Sequence, residues 1–514
     1  MPTDLPKISE RASHLASYQA LLLALIILLG GLWLYSRHND FPYYYHPDEP
    51  VKVKQLIQSE WNFHHPLLLL ESVELARTLS GAGSDPQRIV EVGRWISALF
   101  AVIGVLAFAG IGWWKGGPWG AVAVTAFLLP HHQVFELAHY LKEDTALFMG
   151  VGLTFLALIH SSRTGTRLSI LLLGAAAGIA LSAKYLGGLL ILVALIWLIG
   201  IPRAKLKLPR SQAILLFFIS LTVVVLTINQ RALWNIDRVQ TSFAREIHLA
   251  TGGQGGVTRS VPHGQYTAIF LDNSQPLIWF GLLACLWFAW KQRKSRPLDE
   301  WLMLGFGLGY LLLLTFSPKS NDRYFLAVTP LICLGAALGI CKLFTTLGWQ
   351  RYFSLGIALA FASSLPSLQT YYTAFQKDDR RELAAWITTH LPASAKILQE
   401  RSAGLPGTGV NNSPKILPQK FRTKRMAADF ATFDEYLRDG FTHLLVSPSV
   451  YGKFFMENLV ASENKDVQHA ARTAFYTRLF KEGKLLWESP RSTVIYLHPG
   501  LKLYELPASP DAEP

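Results

Sequence analysis

Two adjacent carboxylates stand close to the end of a membrane-length apolar segment. The segment covers residues 21–35, and the stretch Tyr45-His46-Pro47-Asp48-Glu49-Pro50 follows it. Charge is costly inside a bilayer and inexpensive at its surface, so an acidic pair at this position is a candidate site for chemistry at the membrane face. A solvated turn is the alternative interpretation, because Pro-Asp-Glu-Pro is also favourable turn sequence.

Ionisable residues recur in five short clusters near the predicted ends of apolar segments. The clusters are His46/Asp48/Glu49, His64/His65, Lys142/Glu143/Asp144, Lys184 and Lys319/Asp322/Arg323. Apolar helices would bring these ends to one depth, so we expect a shared site, although helix ends are also where charge costs least. Carboxylates can act as a general base toward a hydroxyl, and Lys and Arg can hold a phosphate as a leaving group. A lipid-linked phosphate would present its head group at this depth.

Three residues of these clusters also have a structural interpretation. Adjacent histidines on a helix point about 100° apart, so His64 and His65 rarely share one metal and are readily explained as interfacial residues. Lys184 lies between two apolar segments without flanking charge. It is either a lysine that extends its ammonium group to the interface or a phosphate ligand.

Composition indicates a membrane protein. The chain has 514 residues, of which 51% are hydrophobic and only 16% are charged. Soluble domains carry about 25% charged residues. The net charge of +13 could suggest nucleic acid, but the positive charges lie in short loops between apolar runs, and no basic face interleaved with aromatics is present. We therefore expect membrane lipids as partners and no nucleic acid. The three cysteines lie in or beside apolar segments, which argues against a disulfide framework or a zinc site.

Eleven apolar segments approach the length of about 20 residues that crosses a bilayer. They cover residues 18–36, 94–114, 118–134, 144–161, 168–183, 185–201, 212–228, 276–290, 301–316, 324–341 and 352–368. The predicted fold is a polytopic α-helical membrane protein whose transmembrane region, residues 1–370, carries the site. The first apolar segment is expected to be a retained helix rather than a cleaved signal.

Basic residues in alternate loops predict the orientation. They are Lys7 and Arg11, then Lys115, then Arg163 and Arg167, then Arg203, Lys205, Lys207 and Arg210, then Lys291, Arg293, Lys294 and Arg296, and finally Lys342 and Arg351. The positive-inside rule places these loops and the N-terminus in the cytoplasm. The clusters and the C-terminal region then lie on the periplasmic or extracellular side of a plasma (inner) membrane.

Two loops on the predicted outer side are longer than simple connectors. The loop 37–93 is expected to contain two interfacial helices, at residues 50–60 and 66–79. The loop 229–275 includes the glycine-rich stretch 251–256, which lacks the lysine and hydroxyl residue of a phosphate-binding loop. We predict that it is a mobile connector, with a mobile lid over the site as the alternative.

Residues 371–514 are predicted to form a small α/β domain outside the membrane, because helical and strand patterns alternate there. Helices are expected at residues 379–390, 433–438 and 463–483, strands at 396–399 and 441–446, and a loop at 401–420. Residues 494–498 and 501–505 read as the two strands of a β-hairpin joined at Pro499-Gly500.

The order of the motifs resembles the GT-C superfamily of membrane glycosyltransferases, in particular glycosyltransferase family 39, with its protein O-mannosyltransferases and aminoarabinose transferases. The similar stretches are Tyr45-His46-Pro47-Asp48-Glu49, Phe63-His64-His65-Pro66-Leu67, Ala138-His139-Tyr140-Leu141-Lys142-Glu143-Asp144, Ala183-Lys184-Tyr185, Asn321-Asp322-Arg323-Tyr324-Phe325 and Arg381-Glu382-Leu383-Ala384-Ala385-Trp386-Ile387. Together they span most of the chain.

The resemblance implies roles for individual residues. Asp48 would be the catalytic base with Glu49 as its neighbour, and Asp144 would be a second functional acid. Because the second motif reads Lys-Glu-Asp, Glu143 and Asp144 could exchange roles. The donor phosphate would be held by Lys142, Lys184, Lys319 and Arg323, and substrate would contact His46, His64, His65 and Tyr324.

The predicted function is an inverting glycosyltransferase that uses a polyprenyl-phosphate-linked sugar and a lipid, glycan or protein acceptor. No cofactor is expected to be required, and a divalent metal is left open because no clear ligand set supports one. Two other classes remain as alternatives: a transporter or flippase of a lipid-linked sugar, and a non-catalytic subunit of a glycan-assembly complex.

Overall fold

A computed structural model of the protein describes residues 10–252, 264–272, 275–317, 321–410, 414–455, 463–492, 494 and 496–508. The first part of the chain is helical. Its helices are α1 (Glu10–Ser36), α2 (Glu49–Gln58), α3 (Leu68–Ser80), α4 (Pro86–Leu128), α5 (His132–Ala138), α6 (Asp144–Thr164), α7 (Arg167–Ala183), α8 (Leu189–Gly200), α9 (Arg210–Ile228), α10 (Gln230–Leu233), α11 (Ile236–Gly252), α12 (Gln265–Asp272), α13 (Pro276–Lys291), α14 (Leu298–Phe316), α15 (Thr329–Thr346) and α16 (Phe353–Gln376).

The helix α4 is two helices joined at a break. It begins where the Asp85 carboxylate accepts hydrogen bonds from the backbone N–H groups of Gln87 and Arg88, which caps its first turn. Gly117 then adopts a positive φ of 66° and is followed by Pro118, so the helical hydrogen bonds are interrupted there. The two halves correspond to the predicted segments 94–114 and 118–134, although the second half ends at Leu128.

Each of the eleven predicted segments lies largely in helix. Within the described residues, six helices are long and apolar enough to cross a membrane, and three further apolar helices are shorter. The predicted segment 324–341 is displaced, because a 3-10 helix (Asp322–Ala327) precedes α15 and Pro330 suits the first turn of the longer helix. The multi-pass helical fold is confirmed, whereas the number of eleven spans stays a prediction.

The long loops contain helices that hold the site end of the bundle together. In the loop 37–93, α2 and α3 occupy the places predicted for two interfacial helices. In the loop 229–275, α11 packs on the first loop, where the Ser242 hydroxyl donates to the Asn62 carbonyl oxygen. The glycine-rich stretch predicted to be a mobile connector falls largely on residues 253–263, outside the described residues.

The C-terminal part is built around one five-stranded sheet. Its elements are α17 (Asp379–His390), β1 (Lys396–Glu400), β2 (Lys420–Lys424), α18 (Phe433–Arg438), β3 (His443–Val446), α19 (Pro448–Tyr451), α20 (Glu463–Glu482), β4 (Lys484–Arg491) and β5 (Pro499–Glu505). The strand order is β2-β1-β3-β5-β4, with β1 parallel to β2 and β3, and with β5 antiparallel to β3 and β4. Apolar clusters cover both faces of the central strands, which gives the predicted α/β class.

One prediction for this region was wrong, and one strand was not predicted. The strand β2 begins at the last residue of the predicted loop 401–420 and continues beyond it, and its charged sequence lacks the apolar alternation of a typical strand. The predicted hairpin was wrong, because β5 pairs with β4 and β3 rather than with residues 494–498. The apolar residues Val494 and Leu497 do not form a strand because they are buried in the core of the helical bundle.

The loop between β4 and β5 attaches the sheet to the bundle. The Nδ1 atom of His498 lies 2.8 Å from an Asp379 carboxylate oxygen, and its Nε2 atom lies 2.6 Å from the Ala374 carbonyl oxygen near the end of α16. The Arg380 guanidinium donates to the Tyr496 carbonyl oxygen at 2.9 Å and covers the ring of Tyr45 at 4.3 Å. The start of α17 and this loop are therefore held against Tyr45.

Candidate active site

Two helices begin at the candidate site, and each begins with an acidic pair. Asp48 precedes the first residue of α2, which is Glu49, and Glu143 precedes the first residue of α6, which is Asp144. The N-terminus of a helix carries a partial positive charge, so it favours carboxylates at this position. In α6, Gly150 lets the helix approach α7 closely, because a Cβ there would lie 2.6 Å from the Cα of Ala180.

Each of the four carboxylates is paired with a different cation. The pairs are Asp48 with Lys142, Glu49 with Arg94, Glu143 with Lys52, and Asp144 with Lys184. Two of the predicted clusters and Lys184 thus meet in one charged network, and Arg323 from another predicted cluster joins it beside Asp48. Pairing is what makes so many charges tolerable in a protein interior, because an unpaired buried charge is strongly destabilising.

Glu49 is fully occupied by structural contacts. Its carboxylate forms a two-point ion pair with Arg94, with N–O distances of 2.6 and 3.0 Å, and also accepts the backbone N–H of Leu141 at 2.9 Å. Both side chains are completely buried. The Arg94 guanidinium also donates to the carbonyl oxygens of Asn39 and Phe41. We therefore interpret Glu49 as a residue that fixes the loop beside Asp48, rather than as a group that touches substrate.

Asp48 is the carboxylate that solvent can reach. Its side chain is 42% exposed, whereas those of Glu49, Glu143 and Asp144 are 0–3% exposed. Burial on its own would raise the pKa of Asp48, but the neighbouring charges, chiefly Lys142, outweigh burial and hold its pKa well below the usual range. Arg323 contributes through a guanidinium nitrogen 3.6 Å from the carboxylate.

The remaining cations lie around one aromatic ring. The Nζ atom of Lys184 is 5.1 Å from the centre of the Tyr324 ring, and the Arg323 guanidinium is 5.4 Å from it. The Nε atom of Arg323 has no hydrogen-bond partner among the described residues, so this guanidinium has a donor to offer. Lys319, predicted to share the phosphate, lies outside the described residues.

The three predicted histidines have different surroundings. His46 is buried, its Nδ1 atom accepts the backbone N–H of Asp48, and its ring packs against Tyr140 and Tyr496. The Nε2 atom of His65 lies 4.0 Å from a Glu143 carboxylate oxygen, at the edge of the charged network. His64 instead faces α11, with its Nε2 atom 3.5 Å from an Arg245 nitrogen.

Sequence reasoning did not identify three residues of this site. Lys52 lies four residues after Asp48, so the helical spacing of α2 could have indicated it. Arg94 opens a long apolar run, and a charged residue in such a run is a recognised signal of function or pairing. Tyr496 carries no comparable signal, because only the folded loop between β4 and β5 brings it to His46.

The donor set does not fit a divalent metal. Mg²⁺ and Ca²⁺ bind oxygen ligands, chiefly carboxylates. Here a lysine or arginine already neutralises each of the four carboxylates at the site. Within the part of the chain that the structure describes, no group of three or more His, Cys, Asp or Glu side chains is arranged to hold a metal ion.

The thermal stability of the protein is expected to fall as the pH drops from 7 to 5, in part because of His46. Burial, reinforced by the charge of Lys142, lowers the pKa of His46 well below 6.5. Below pH 6.5 the unfolded chain therefore binds a proton that the folded protein does not, which costs the fold up to roughly 2 kcal/mol by pH 5. The measurement is the apparent Tm in detergent at each pH.

A matched pair of variants isolates this histidine. His46→Asn keeps an acceptor for the Asp48 N–H but does not titrate, so its Tm should fall less than that of the wild type. The exposed His390 serves as the control, and His390→Asn should leave the pH dependence unchanged. An equal loss of Tm in His46→Asn and the wild type would contradict a neutral buried His46.

Comparisons with known proteins indicate a family resemblance and the type of fold. Residues 33–236 match the family model described as dolichyl-phosphate-mannose-protein mannosyltransferase. The structure of ArnT from Cupriavidus metallidurans bound to undecaprenyl phosphate is similar, with a TM-score of 0.50 and 14% identity over 96% of this chain and 98% of that one. AglB from Archaeoglobus fulgidus, solved with an inhibitory peptide and a dolichol-phosphate, is also similar. Its TM-score is 0.54, with 12% identity over 97% of this chain and 75% of that one. A comparison with curated protein sequences found no match.

The fold is of the GT-C type. Within that class, the matched stretch 33–236 contains the acidic pairs of α2 and α6 together with Lys184, and the chain resembles glycosyltransferase family 39. The matched family model and the shared fold together support a membrane-bound glycosyltransferase.

Proposed function

We propose that the protein is an inverting glycosyltransferase that moves a sugar from a polyprenyl-phosphate-linked donor to an acceptor hydroxyl. The observation that carries this proposal is the difference in exposure among four acids at one site. Asp48 is open, while the other three are buried against cations of their own. An incoming hydroxyl can therefore meet only one of these carboxylates without breaking a buried ion pair.

In the proposed reaction, Asp48 accepts the proton of the acceptor hydroxyl. The hydroxyl oxygen then forms a bond to the anomeric carbon while the bond from that carbon to the phosphate oxygen breaks. The phosphate leaves with the bonding electron pair, and lysine and arginine side chains stabilise its charge. Attack opposite to the leaving group inverts the configuration at the anomeric carbon.

The contacts of Asp48 couple donor binding to activation of the base. In the free protein, Lys142 and Arg323 both face this carboxylate, and their charges lower its pKa. A carboxylate with a strongly lowered pKa is a weak base. A donor phosphate would compete for these two cations, so the pKa of Asp48 would rise when the donor is bound. The base would then become effective only with substrate in place.

An apolar groove of about 770 Å³ among the helices supports a lipid-linked donor. It runs between α13, α14 and α15, and its walls include Leu311, Leu331 and Leu338. One end reaches Val328, directly after the 3-10 helix that carries Arg323. Its position would let an isoprenoid chain lie among the helices while its phosphate meets Arg323.

The remaining features of the proposal follow from charge and fold. We propose that residues 1–370 form the catalytic membrane domain, and that residues 371–514 form a second domain on the non-cytoplasmic side of the plasma membrane. The distribution of basic loops supports this orientation, with the N-terminus in the cytoplasm. The acceptor is a lipid, glycan or protein that carries a hydroxyl group.

Binding of undecaprenyl phosphate tests the donor half of the proposal. The Arg323→Gln variant should bind this probe at least tenfold more weakly than the wild type, because a charge-assisted hydrogen bond is worth about 1.5–3 kcal/mol. The measurement is the Kd of the purified full-length protein in nanodiscs.

Arg351 provides the matched control, since it is exposed and lies beyond α15. Arg351→Gln should bind the probe as tightly as the wild type. If Arg323→Gln also binds it with unchanged affinity, the phosphate does not lie at this site.

A further inference from the structure

A second, smaller cavity lies directly beside the charged network. Its volume is about 140 Å³, well below the roughly 300–1,000 Å³ of sites for drug-sized ligands, so it suits a single ring. The residues that matter for its chemistry are Glu136, Asp322, Arg323, His132, Tyr371 and Tyr496. His46 also lines it, which places the cavity next to Asp48.

One wall of the cavity carries hydrogen-bonding groups that the proposed transfer does not use. Glu136 lies on α5 and lines the cavity. Burial, reinforced by the charge of Asp322, raises the pKa of Glu136 well above its usual range. A raised pKa favours the protonated carboxyl group, which can both donate and accept hydrogen bonds. Such a group matches the hydroxyl groups of a carbohydrate.

The cavity is also lined by aromatic side chains, one of which comes from the loop between β4 and β5. The Tyr371 ring stacks on His132, with 5.1 Å between ring centres and an angle of 29° between planes. The Tyr496 ring lies 4.2 Å from that of His46, and Arg380 holds the Tyr496 carbonyl in place. Aromatic side chains with a polar atom provide both an apolar face and a hydrogen-bonding group. A sugar ring can place its C–H groups against the apolar face and its hydroxyl groups against the polar atom.

We propose that this cavity binds one monosaccharide unit of a substrate, with Glu136 and Tyr496 as the residues that determine which sugar is accepted. The inference rests on the proposed function and adds the location of the sugar. Its ligand chemistry is a ring with hydroxyl groups on one side and C–H groups on the other. That ring belongs either to the donor or to a carbohydrate acceptor, and the two sources are separable by experiment.

The donor source is tested by comparing carriers with and without a sugar. The purified full-length protein in nanodiscs is titrated with undecaprenyl phosphate and with undecaprenyl-phosphate-linked mannose, glucose and 4-amino-4-deoxyarabinose. We expect the wild type to bind at least one glycosylated carrier more tightly than the bare carrier. Glu136→Gln and Tyr496→Phe should each reduce that preference tenfold or more, and leave the Kd of the bare carrier within twofold of the wild type.

The acceptor source is tested with soluble methyl glycosides of the same sugars, added to protein already loaded with undecaprenyl phosphate. Saturation-transfer NMR signals from a glycoside that disappear in both variants would place the acceptor sugar in the cavity. Glu74→Gln is the matched control, because Glu74 pairs with Arg77 on α3, away from the cavity. This control should behave as the wild type in both experiments.

The outcomes distinguish failure of the proposed sugar site from failure of the proposed glycosyltransferase function. If both variants bind every carrier and every glycoside as the wild type does, the cavity is not a sugar site. The same conclusion follows if the bare and glycosylated carriers lose affinity equally. If the wild type binds no undecaprenyl phosphate at all, the proposed function itself fails. Should Glu136→Gln not fold, Tyr496→Phe decides the question, because it removes one hydroxyl group and keeps the ring.

Discussion

Transfer of sugar by the Asp48→Asn variant is expected to fall by about 10²–10⁴-fold, the usual contribution of a positioned general base. Asparagine keeps the size of the side chain but accepts no proton at neutral pH. Its neutrality also releases Lys142 and Arg323 for the donor phosphate, so the affinity for donor should stay the same or increase. The loss should therefore appear in kcat, measured as transfer of a radiolabelled sugar from a polyprenyl-phosphate donor in proteoliposomes.

A neighbouring aspartate gives the control for this experiment. Asp40 is exposed in the same loop, and Asp40→Asn should transfer sugar at the wild-type rate. Equal rates in Asp48→Asn and the wild type would remove Asp48 from the role of base, and Glu143 or Asp144 would be examined next. A variant that binds donor without transferring sugar would also argue against a flippase, since transport requires no base.

The second large effect is expected from Arg94, which contributes to the fold rather than to the reaction. Arg94→Met leaves the completely buried carboxylate of Glu49 without its partner. Breaking a buried ion pair in this way costs about 3–5 kcal/mol, so the variant should be recovered in low yield or show a much lower Tm. The measurement is the fraction of protein that remains monodisperse in detergent after heating.

A double variant tests whether the unpaired charge of Glu49 causes the instability of Arg94→Met. Glu49→Gln combined with Arg94→Met removes both charges, and it should be more stable than Arg94→Met alone. Some loss will remain, because Arg94 also donates to the carbonyl oxygens of Asn39 and Phe41. Arg88→Met is the control, since Arg88 is exposed on the same helix. If the double variant is as unstable as the single one, the ion pair is not the source of the effect.

Much of the candidate site could be predicted from the sequence because its charges interrupt long apolar runs. Residues such as Asp48, Lys142 and Lys184 stand out where a helix must leave the bilayer, and helix ends meet at one depth whatever the packing of the helices. The multi-pass fold follows from the same apolar runs. The C-terminal helices at residues 379–390 and 433–438 were also predictable, since capping and periodicity are local signals.

The sequence does not predict which carboxylate pairs with which cation, or the order of the strands in the sheet. Which carboxylate stays open depends on four separate ion pairs, and the sequence around Asp48 and Asp144 does not distinguish them. The hairpin predicted for residues 494–498 failed because apolar residues there pack on another part of the molecule instead of on a neighbouring strand. The charged strand β2 was missed because its pairing with β1, not its composition, makes it a strand.

The loop between β4 and β5 has a consequence for how the protein matures. Tyr496 is far from His46 in the sequence, yet its ring packs on His46 beside the open carboxylate. During synthesis the helices α1 to α16 are made before Tyr496, so the side chain that this tyrosine supplies arrives after the helices that carry the acids. A nascent chain that has not yet reached Tyr496 would therefore present Asp48 in an unfinished pocket. The pocket is complete only when the loop between β4 and β5 has docked on the helices.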